Sequence, residues 1–295
     1  MDWDPTQFFR DEVPPTPFAL LILNQPINDK AYDVLRKHAL ITVCADGGAN
    51  RFYDMMQSRS RESLDHPDII IGDLDSVRPS VRTHYESHSI PVIYHYDDYS
   101  TDFQKSLDYI RAHTSEILST FQPPSPSPQT QTPSSPLPQQ PLSILILGGL
   151  GGRVDQAFSQ IHHLYTQTQH QRHLQSSPDT TTATAAGNLY LISEESITFI
   201  LHPGKNTIHT PCTNRPGVDL SAESYLLEEN VGIVPLSGMT RISTSGFQWD
   251  VEQWETEIGG QISTSNHVRG DVVSVQAPGP VLLTLELAGR FKRGR

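Results

Sequence analysis

Short apolar runs alternate with amphipathic segments along the first two-thirds of the chain. The apolar runs are rich in β-branched residues and have the length of buried strands; they lie at 18–24, 39–46, 69–73, 91–96 and 143–148. Apolar residues at helical spacing follow these runs at 29–38, at 47–56, from Thr101 and from Val154. This alternation predicts βαβ units, and therefore a mostly parallel, Rossmann-like sheet with helices on both faces.

The pattern changes after residue 189, where strand-like segments follow one another without a convincing helix. In the last of them, VLLTLEL (281–287), the apolar residues alternate with a period of two, as in a strand with one buried face. We therefore predict a smaller antiparallel β-sandwich after the α/β part. The boundary is placed near Pro203, which gives an α/β domain at 18–203 and a β-sandwich domain at 204–295.

Three segments are predicted to lie outside these domains as disordered chain. Residues 1–17 form an N-terminal tail in which no basic stretch precedes an apolar core, so no secretory signal is visible. Residues 122–141 are almost wholly Pro, Ser, Gln and Thr, and residues 166–186 are polar and nearly free of large apolar groups. Such segments cannot bury enough surface to offset the entropy of ordering, which predicts two surface insertions.

Charge and cysteine content narrow the class of protein. The chain of 295 residues has 21 basic and 33 acidic residues, a net charge of −12. An acidic protein is disfavoured as a partner of nucleic acid or of an anionic membrane surface. Two cysteines without metal-ligand spacing indicate neither a disulfide framework nor a zinc site, and no apolar run approaches the length of about 20 residues that spans a membrane. We expect a soluble, cytoplasmic protein.

Two aspartates follow the most β-branched run of the chain, DIIIGDLDS at 68–76. If the chain stays extended, Asp73 and Asp75 point the same way about 6.6 Å apart. Like charges at that separation repel by roughly 2.5 kcal/mol at an effective dielectric constant of about 20. A divalent cation, a shared proton or a nearby arginine would offset the repulsion. The alternative is a solvated turn in which Asp75 caps a helix that begins near Ser76.

Ligands of parallel α/β sheets bind outside the carboxyl ends of the strands. The residues that follow the predicted strands therefore share one rim; they are Asn24, Asp46, Asp73, Asp75, Asp97, Asp98 and Gly148. Thr101 is a natural N-cap for the next helix, which places Asp102 in its first turn. Acidic residues thus gather where a binding site is expected.

Two glycine-rich turns lead from strands into helices at this rim. CADGGAN (44–50) contains Gly47 and Gly48, and GGLGGRVD (148–155) contains four glycines followed by Arg153 and Asp155. Backbone N–H groups at such turns can bind phosphate, and an arginine fork suits phosphate oxygens. Neither turn is a Walker A loop or a GxGxxG fingerprint, and an ordinary tight turn remains the alternative for CADGGAN. The helix after the second turn has a predicted apolar stripe of Val154, Ala157, Phe158, Ile161 and Leu164.

Polar and aromatic residues of the β-rich part form a further candidate site. Trp249 could stack on a flat cationic ring, and Ser263, Ser265 and Asn266 could hydrogen-bond a polar ring edge. A core tryptophan and a polar hairpin turn are the alternative. A carboxylate cluster, a glycine and arginine phosphate loop, and no obvious protein nucleophile together indicate magnesium-assisted transfer from a nucleotide.

Six motifs occur in the order found in eukaryotic thiamine pyrophosphokinases. They are LNQP (23–26), CADGGANRFYD (44–54), GDLDS (72–76), STDFQKSL (100–107), GGLGGRVDQ (148–156) and ISTSN (262–266). The chain resembles this family over nearly its whole length except the tail and the two insertions. The resemblance implies an α/β catalytic domain followed by a β-sandwich, a homodimer, and transfer of the diphosphoryl group of ATP to the hydroxyl of thiamine, giving thiamine diphosphate and AMP.

The resemblance also implies roles for individual residues. Asp73, Asp75 and Asp102 would be catalytic and bind Mg²⁺, with Arg153 and Asp155 in the same site. Residues near the nucleotide would be Asn24, Gln25, Asp46, Gly47, Gly48, Thr101, Gly149, Gly151 and Gly152. Thiamine would be held by Trp249, Ser265 and Asn266, across the dimer from the other subunit's catalytic domain, and its hydroxyl would attack the β-phosphorus directly.

The chain departs from the family pattern at two places. Leu74 stands where many relatives carry Phe, and HVRGD (267–271) replaces a small polar stretch at the rim of the thiamine site. Two other functions remain open: an aspartyl phosphatase of the haloacid dehalogenase type with Asp73 as nucleophile, and a thiamine-binding regulatory protein without catalysis. The first leaves the glycine and arginine loop without a role. The presence of Asp73, Asp75 and Asp102 argues against the second.

Overall fold

The secondary structure follows the predicted alternation in the first part of the chain and continues as strands in the second. A computed structural model describes residues 1–97, 99–123, 141–176 and 187–293. Its strands are β1 Asp2–Trp3, β2 Phe18–Ile22, β3 Thr42–Ala45, β4 Ile69–Gly72, β5 Val92–Tyr94, β6 Ser143–Leu147, β7 Leu189–Ile192, β8 Ser196–Leu201, β9 Gly204–His209, β10 Thr213–Asn214, β11 Leu227–Pro235, β12 Thr240–Ser245, β13 Trp254–Thr256, β14 Ser263–His267, β15 Val272–Ala277 and β16 Val281–Leu287. Its α-helices are α1 Asp29–Leu35, α2 Gly48–Ser58, α3 Pro79–Ser87, α4 Asp102–Ala112, α5 Thr114–Ser119 and α6 Val154–Gln175.

The strands form two sheets, so the fold is mixed α/β. The larger sheet has the order β10-β11-β16-β8-β7-β6-β2-β3-β4-β5, with β14 paired to β11. Its part from β7 to β5 is parallel, whereas β8 and β16 are antiparallel to their neighbours, so the sheet as a whole is mixed. The smaller sheet has the order β1-β9-β15-β12-β13.

The strand order of the parallel part reverses at β2, its first strand in the chain. From β2 the chain moves to β3, β4 and β5 on one side, then crosses to β6 and β7 on the other. Every residue of β2 and β6 is buried, because these strands lie between helices on both faces. Ligands of open α/β sheets bind at the carboxyl ends of the strands at such a reversal. The ends of β2, β3, β4 and β6 therefore define where a site should lie.

The predicted disorder of residues 1–17 is wrong. β1 pairs in parallel with β9, and a 3₁₀ helix at Pro5–Phe9 follows it. Trp3, Phe8 and Phe9 are buried in the core, and the Trp3 indole N–H donates to Asn206 Oδ1 at 2.9 Å. Burial of three large aromatic side chains, together with the pairing of β1 with β9, stabilises this segment in an ordered conformation.

The predicted insertion at 166–186 is also wrong in its first ten residues, because α6 continues to Gln175. The buried face of this part of the helix is polar and hydrogen-bonded: the Arg111 guanidinium donates to Gln167 Oε1 at 3.0 Å and to Gln171 Oε1 at 3.2 Å, and Gln171 Nε2 donates to the Gly187 carbonyl. An apolar pattern cannot reveal a helix that is anchored by amide and guanidinium groups. Residues 177–186, and most of the other predicted insertion, lie outside the described residues.

The predicted apolar stripe of α6 is buried only in part. Leu164 is buried, but Val154 and Phe158 in the first two turns are exposed. The predicted boundary near Pro203 does not interrupt the larger sheet, because β8 pairs with β7 on one side and with β16 on the other. No helix of the described residues is long and apolar enough to cross a membrane.

Candidate active site

A cleft of about 310 Å³ opens at the strand-order reversal. Its walls come from the ends of β2, β3 and β4, from the start of α4 and from one face of α6. Asp46, Asp73 and Asp102 line it together with Asn24 and Thr101. These five residues were all predicted as site residues, and the fold brings them into one cavity.

Three carboxylates converge in this cleft. One carboxylate oxygen from each of Asp46, Asp73 and Asp102 lies within 4.8 Å of the others. Gly72, the last residue of β4, permits this approach, because a Cβ there would lie 2.7 Å from Asp46 Cβ and 3.0 Å from Asp102 Oδ1. Three carboxylates at this separation form the oxygen-rich ligand set that hard divalent cations prefer.

Asp46 is held at the end of β3 in an unusual conformation. Its φ is +40°, its N–H donates to the Ile71 carbonyl, and the Ser76 N–H donates to its Oδ2 at 3.2 Å. The other carboxylate oxygen, Oδ1, is buried and has no hydrogen-bond partner among the described residues. Buried polar atoms are rarely left unpaired, so this oxygen is available to a ligand.

The two aspartates of GDLDS do not point the same way, because Leu74 between them has φ +61°. The extended geometry assumed from the sequence is therefore wrong. The chain turns so that the Asp75 N–H donates to Asp73 Oδ1 at 3.3 Å, and Ser76 Oγ donates to Asp75 Oδ1 at 2.7 Å. Asp75 is exposed and lies outside the converging group. Nor does it cap the next helix, since the N-cap of α3 is Arg78.

The cation that offsets the carboxylate repulsion is Lys105, which the sequence analysis did not single out. Its buried Nζ donates to Asp73 Oδ2 and to Asp102 Oδ1, each at 3.2 Å. Lys105 follows Asp102 by three residues on α4, so the two side chains lie on the same face of the helix. That spacing within STDFQKSL was the signal that could have identified it.

The electrostatic environment differs between the carboxylates. Burial, and then the nearby Asp102 charge, raise the pKa of Asp46. Partial burial also acts to raise the pKa of Asp73, but hydrogen bonds from Lys105 and from the Asp75 N–H outweigh it and lower that pKa. Burial opposes the charged form of Lys105, whereas its two carboxylate partners raise its pKa overall. Asp73 and Lys105 therefore form an ion pair at neutral pH, beside the more weakly acidic Asp46.

The glycine turns bring the predicted nucleotide-binding residues together. A Cβ on Gly47 would lie 2.2 Å from Asn24 Nδ2, and a Cβ on Gly152 would lie 2.7 Å from Gln25 Oε1. Gly148, Gly151 and Gly152 all have positive φ, which glycine alone adopts without strain. Gly48 packs against the Ile22 carbonyl and Gly149 against Leu191. The two turns and the LNQP segment thus meet at the end of β2.

Arg153 and Asp155 lie at the edge of this region rather than in the cleft. They are exposed and paired with each other, with Arg153 Nε 3.1 Å from Asp155 Oδ1. The residues of α6 that do line the cleft were missed; they are Gln156, Ser159, Gln160 and His163. Their i, i+3, i+4, i+7 spacing marks one polar helix face, and that pattern could have identified them.

The end of β5 contributes less to the site than predicted. Asp97 Oδ1 accepts from the Tyr99 N–H, and Asp97 Oδ2 accepts from Ser100 Oγ at 2.6 Å, so its carboxylate stabilises a local turn. Asp98 lies outside the described residues. Thr101 caps α4 as expected, with its hydroxyl accepting from the Gln104 N–H at 3.4 Å.

A second cavity, of about 300 Å³, is lined by residues of both sheets. Trp249, Ser265 and Asn266 all line it, as predicted, and Trp254 is an aromatic neighbour that was missed. Trp249 is 54% exposed, so it is a wall residue and not a core tryptophan. Both ends of the Asn266 amide are bonded to the Trp249 backbone: Oδ1 accepts from its N–H at 3.1 Å and Nδ2 donates to its carbonyl at 2.9 Å. Asn266 therefore positions the tryptophan.

Comparisons with known proteins match two regions of the chain to one family. Residues 32–175 match the family model described as thiamin pyrophosphokinase, catalytic domain, and residues 217–282 match its vitamin B1 binding domain. The chain is 30% identical to thiamine pyrophosphokinase 1 of Arabidopsis thaliana over 92% of its own length and 87% of that protein. It is 29% identical to the Saccharomyces cerevisiae thiamine pyrophosphokinase over 85% and 79% of the two chains.

Solved structures show the same fold. The thiamin pyrophosphokinase from Candida albicans superposes with a TM-score of 0.73 at 27% identity, covering 97% of this chain and 92% of that one. The yeast thiamin pyrophosphokinase gives a TM-score of 0.73 at 26% identity, covering 97% and 90%.

Proposed function

Because the chain belongs to the thiamine pyrophosphokinase family, the enzymes that make thiamine diphosphate from thiamine and ATP, we propose that its carboxylate cleft binds ATP with Mg²⁺ and its tryptophan-walled cavity binds thiamine. The convergence of Asp46, Asp73 and Asp102 at the strand-order reversal is the observation that carries this proposal. The family assignment replaces both the phosphatase and the regulatory alternatives.

The donor set of the cleft fits Mg²⁺. The ion prefers carboxylate oxygens and keeps several waters, and the unpaired Asp46 Oδ1 together with Asp73 and Asp102 supplies such oxygens. Asp75, a ligand by the family resemblance, lies on the adjoining turn and would join this set only by leaving Ser76 Oγ, which donates to it. When bound, Mg²⁺ neutralises charge on the phosphate oxygens.

The remaining residues of the cleft are proposed to orient the nucleotide. Gly47 and Gly48, at the start of α2, and the glycines at 148–152 lie where a strand ends and a helix begins, a position at which backbone N–H groups bind phosphate well. Asn24, Gln25 and Thr101 supply polar groups at the same edge. Arg153, released from Asp155, would bind phosphate oxygens of the departing AMP.

The chemical step we propose is direct transfer. The thiamine hydroxyl oxygen forms a bond to the β-phosphorus, the bond from that phosphorus to the α–β bridging oxygen breaks, AMP leaves with that oxygen, and the hydroxyl proton is released. No phospho-enzyme forms. Lys105 orients Asp73 and Asp102 by donating to both carboxylates, and it keeps Asp73 ionised.

Within one chain the two sites are too far apart for this step. β11, which lines the thiamine cavity at Ile233, is five strand-to-strand steps from β2 at the cleft, a separation of about 24 Å. Reacting atoms must approach to about 3–3.5 Å. We therefore propose a homodimer in which the β-sandwich domain of one subunit delivers thiamine to the α/β domain of the other.

We also propose that the protein is cytoplasmic.

The experiment that tests the activity measures AMP release from Mg-ATP with and without thiamine, while thiamine diphosphate is followed by chromatography. We expect thiamine-dependent AMP matched one-to-one by thiamine diphosphate, and loss of both in Asp73→Asn and in Asp75→Asn. Formation of ADP and thiamine monophosphate would contradict diphosphoryl transfer. Full activity of both variants would contradict the metal-site assignment.

Mixing two variants that are each inactive at low thiamine concentration tests the shared site. Asp73→Asn chains are unfolded and refolded together with chains that carry both Ser265→Ala and Trp249→Ala, and the mixture is assayed at thiamine concentrations far below the raised KM. It should regain about a quarter of the wild-type activity, because half of the dimers are mixed and each has one intact site. A mixture of Asp73→Asn with Asp102→Asn is the matched control and should stay inactive. No recovery in the first mixture would place both halves of each site on one chain.

A further inference from the structure

Three histidines meet at a place that lines neither of the two cavities described above. His84 lies on α3, His88 follows it by four positions and caps the carboxyl end of that helix, and His66 comes from the segment before β4. One ring nitrogen of each lies within 4.8 Å of the others. The ring centroids of His66 and His88, and of His84 and His88, are 4.5 Å apart, and those of His66 and His84 are 6.0 Å apart.

Backbone carbonyls fix the orientation of the rings. His84 Nε2 is 2.8 Å from the Glu62 carbonyl oxygen, and His88 Nδ1 is 2.9 Å from the His84 carbonyl oxygen. An N–H donated to a carbonyl sets the tautomer, because the other ring nitrogen of a neutral imidazole then carries a lone pair. This is the arrangement by which metal-binding histidines are held in proteins.

Two buried polar atoms of this region have no hydrogen-bond partner among the described residues. They are His66 Nε2 and Glu62 Oε2. A carboxylate oxygen accepts from a hydrogen-bond donor or binds a cation, and so does an imidazole nitrogen that carries the lone pair. The nearby cations Arg36 and Arg61 do not fill this role, because both are paired with Asp65.

We propose that His66, His84 and His88 form a binding site for a divalent transition-metal ion, with Zn²⁺ the best match. Imidazole nitrogens suit Zn²⁺, whereas Mg²⁺ takes oxygen ligands, so this site and the carboxylate cleft select different ions. Three protein ligands leave a fourth position for water. Zn–N bonds of about 2.1 Å require ligand nitrogens roughly 3.4 Å apart in a tetrahedral site. Binding therefore needs the nitrogens to close from within 4.8 Å, and the rings, which are tilted by 40–48° to one another, to turn their lone pairs towards the ion.

A bound ion would join α3 to the segment before β4, two elements that otherwise meet here through the histidine and tyrosine rings.

The test is Zn²⁺ binding to the full-length chain, freed of metal by a chelator and assayed by calorimetry in excess MgCl₂, so that the carboxylate cleft is occupied. We expect one equivalent of Zn²⁺ in the wild type and a loss of affinity of at least about 100-fold in His88→Gln and in His66→Gln. His38→Gln, which changes a histidine that contacts the Asp11 carbonyl instead, is the matched control and should bind as the wild type does. Thiamine diphosphate formation should be unchanged in His88→Gln.

The visible absorption spectrum of bound Co²⁺ tests the histidine site without any variant. Bound to three imidazoles, Co²⁺ should give the strong visible bands of four-coordinate nitrogen ligation and be displaced by Zn²⁺. Weak bands typical of octahedral oxygen ligation, unaltered Zn²⁺ binding in both variants, or no binding to the wild type would each overturn the site. The three rings would then be a packing cluster.

Discussion

Replacing Lys105 by Met tests whether a buried ammonium organises the carboxylate cleft. Lys105 Nζ lies 3.2 Å from both Asp73 Oδ2 and Asp102 Oδ1, and its side chain is 1% exposed. Met has nearly the same length and fills the same space without the charge. The variant therefore leaves Asp46, Asp73 and Asp102 together without a cation.

The expected loss of stability follows from the exposure of the two partners. Removing one member of a fully buried ion pair destabilises a protein by about 3–5 kcal/mol. The side chains of Asp73 and Asp102 are 41% and 30% exposed, so water screens much of the uncompensated charge. We expect Lys105→Met to lower the free energy of unfolding by about 2 kcal/mol, the range of a hydrogen bond to a charged group.

Urea denaturation at neutral pH, with EDTA and again with saturating MgCl₂, measures this effect. Mg²⁺ should stabilise Lys105→Met more than the wild type, because the ion replaces the missing positive charge, while thiamine diphosphate formation falls through loss of orientation. Lys30→Met, the same substitution at an exposed lysine of α1, is the control. Equal stability of Lys105→Met and wild type in EDTA, or equal stabilisation of both by Mg²⁺, would refute the reasoning.

Three further predictions concern single residues. The pKa of Asp46 is raised, so this residue contributes stability below the ordinary carboxyl pKa and loses that contribution as pH rises through the folded-state pKa. In EDTA, Asp46→Asn should therefore unfold at a higher urea concentration than the wild type at pH 7, and at the same urea concentration at pH 3. The variant should also lose activity. Trp249→Ala should raise the KM for thiamine roughly 10- to 30-fold with little change in kcat, whereas Trp249→Phe should keep much of the affinity. Gly48→Ala places a Cβ 2.3 Å from the Ile22 carbonyl oxygen and should lower the melting temperature by several degrees, whereas Gly279→Ala, with its nearest neighbour at 3.9 Å, should not.

The position of the site could be predicted because it depends on strand ends. Runs of β-branched residues identify β2, β3, β4 and β6, and parallel pairing brings the residues after them to one edge. Asn24, Asp46 and Asp73 follow directly from that rule. The N-cap Thr101 placed Asp102 in the first turn of α4, and the family resemblance gave Asp102 its role in the site.

What could not be predicted depends on polar packing and on pairing distant in sequence. Lys105 is buried although lysine is usually exposed, and only its two carboxylate partners, one of them 32 residues away, explain why. The second half of α6 is stabilised by Arg111 rather than by an apolar stripe. β1 is ordered by its pairing with β9, about two hundred residues later, which no local pattern reveals.

Leu74 explains how two aspartates one residue apart are tolerated in GDLDS. A left-handed conformation for a residue with a Cβ costs roughly 1–2 kcal/mol, comparable with the roughly 2.5 kcal/mol of repulsion expected for an extended chain. The turn sends Asp73 towards Lys105 and Asp75 towards Ser76, so the charges no longer face each other. The strain is held because the Leu74 side chain packs against the main hydrophobic core, and apolar burial at that one position offsets it. A leucine is therefore the residue that fixes the geometry of a carboxylate site, by its anchorage in the core and not by any contact with a ligand.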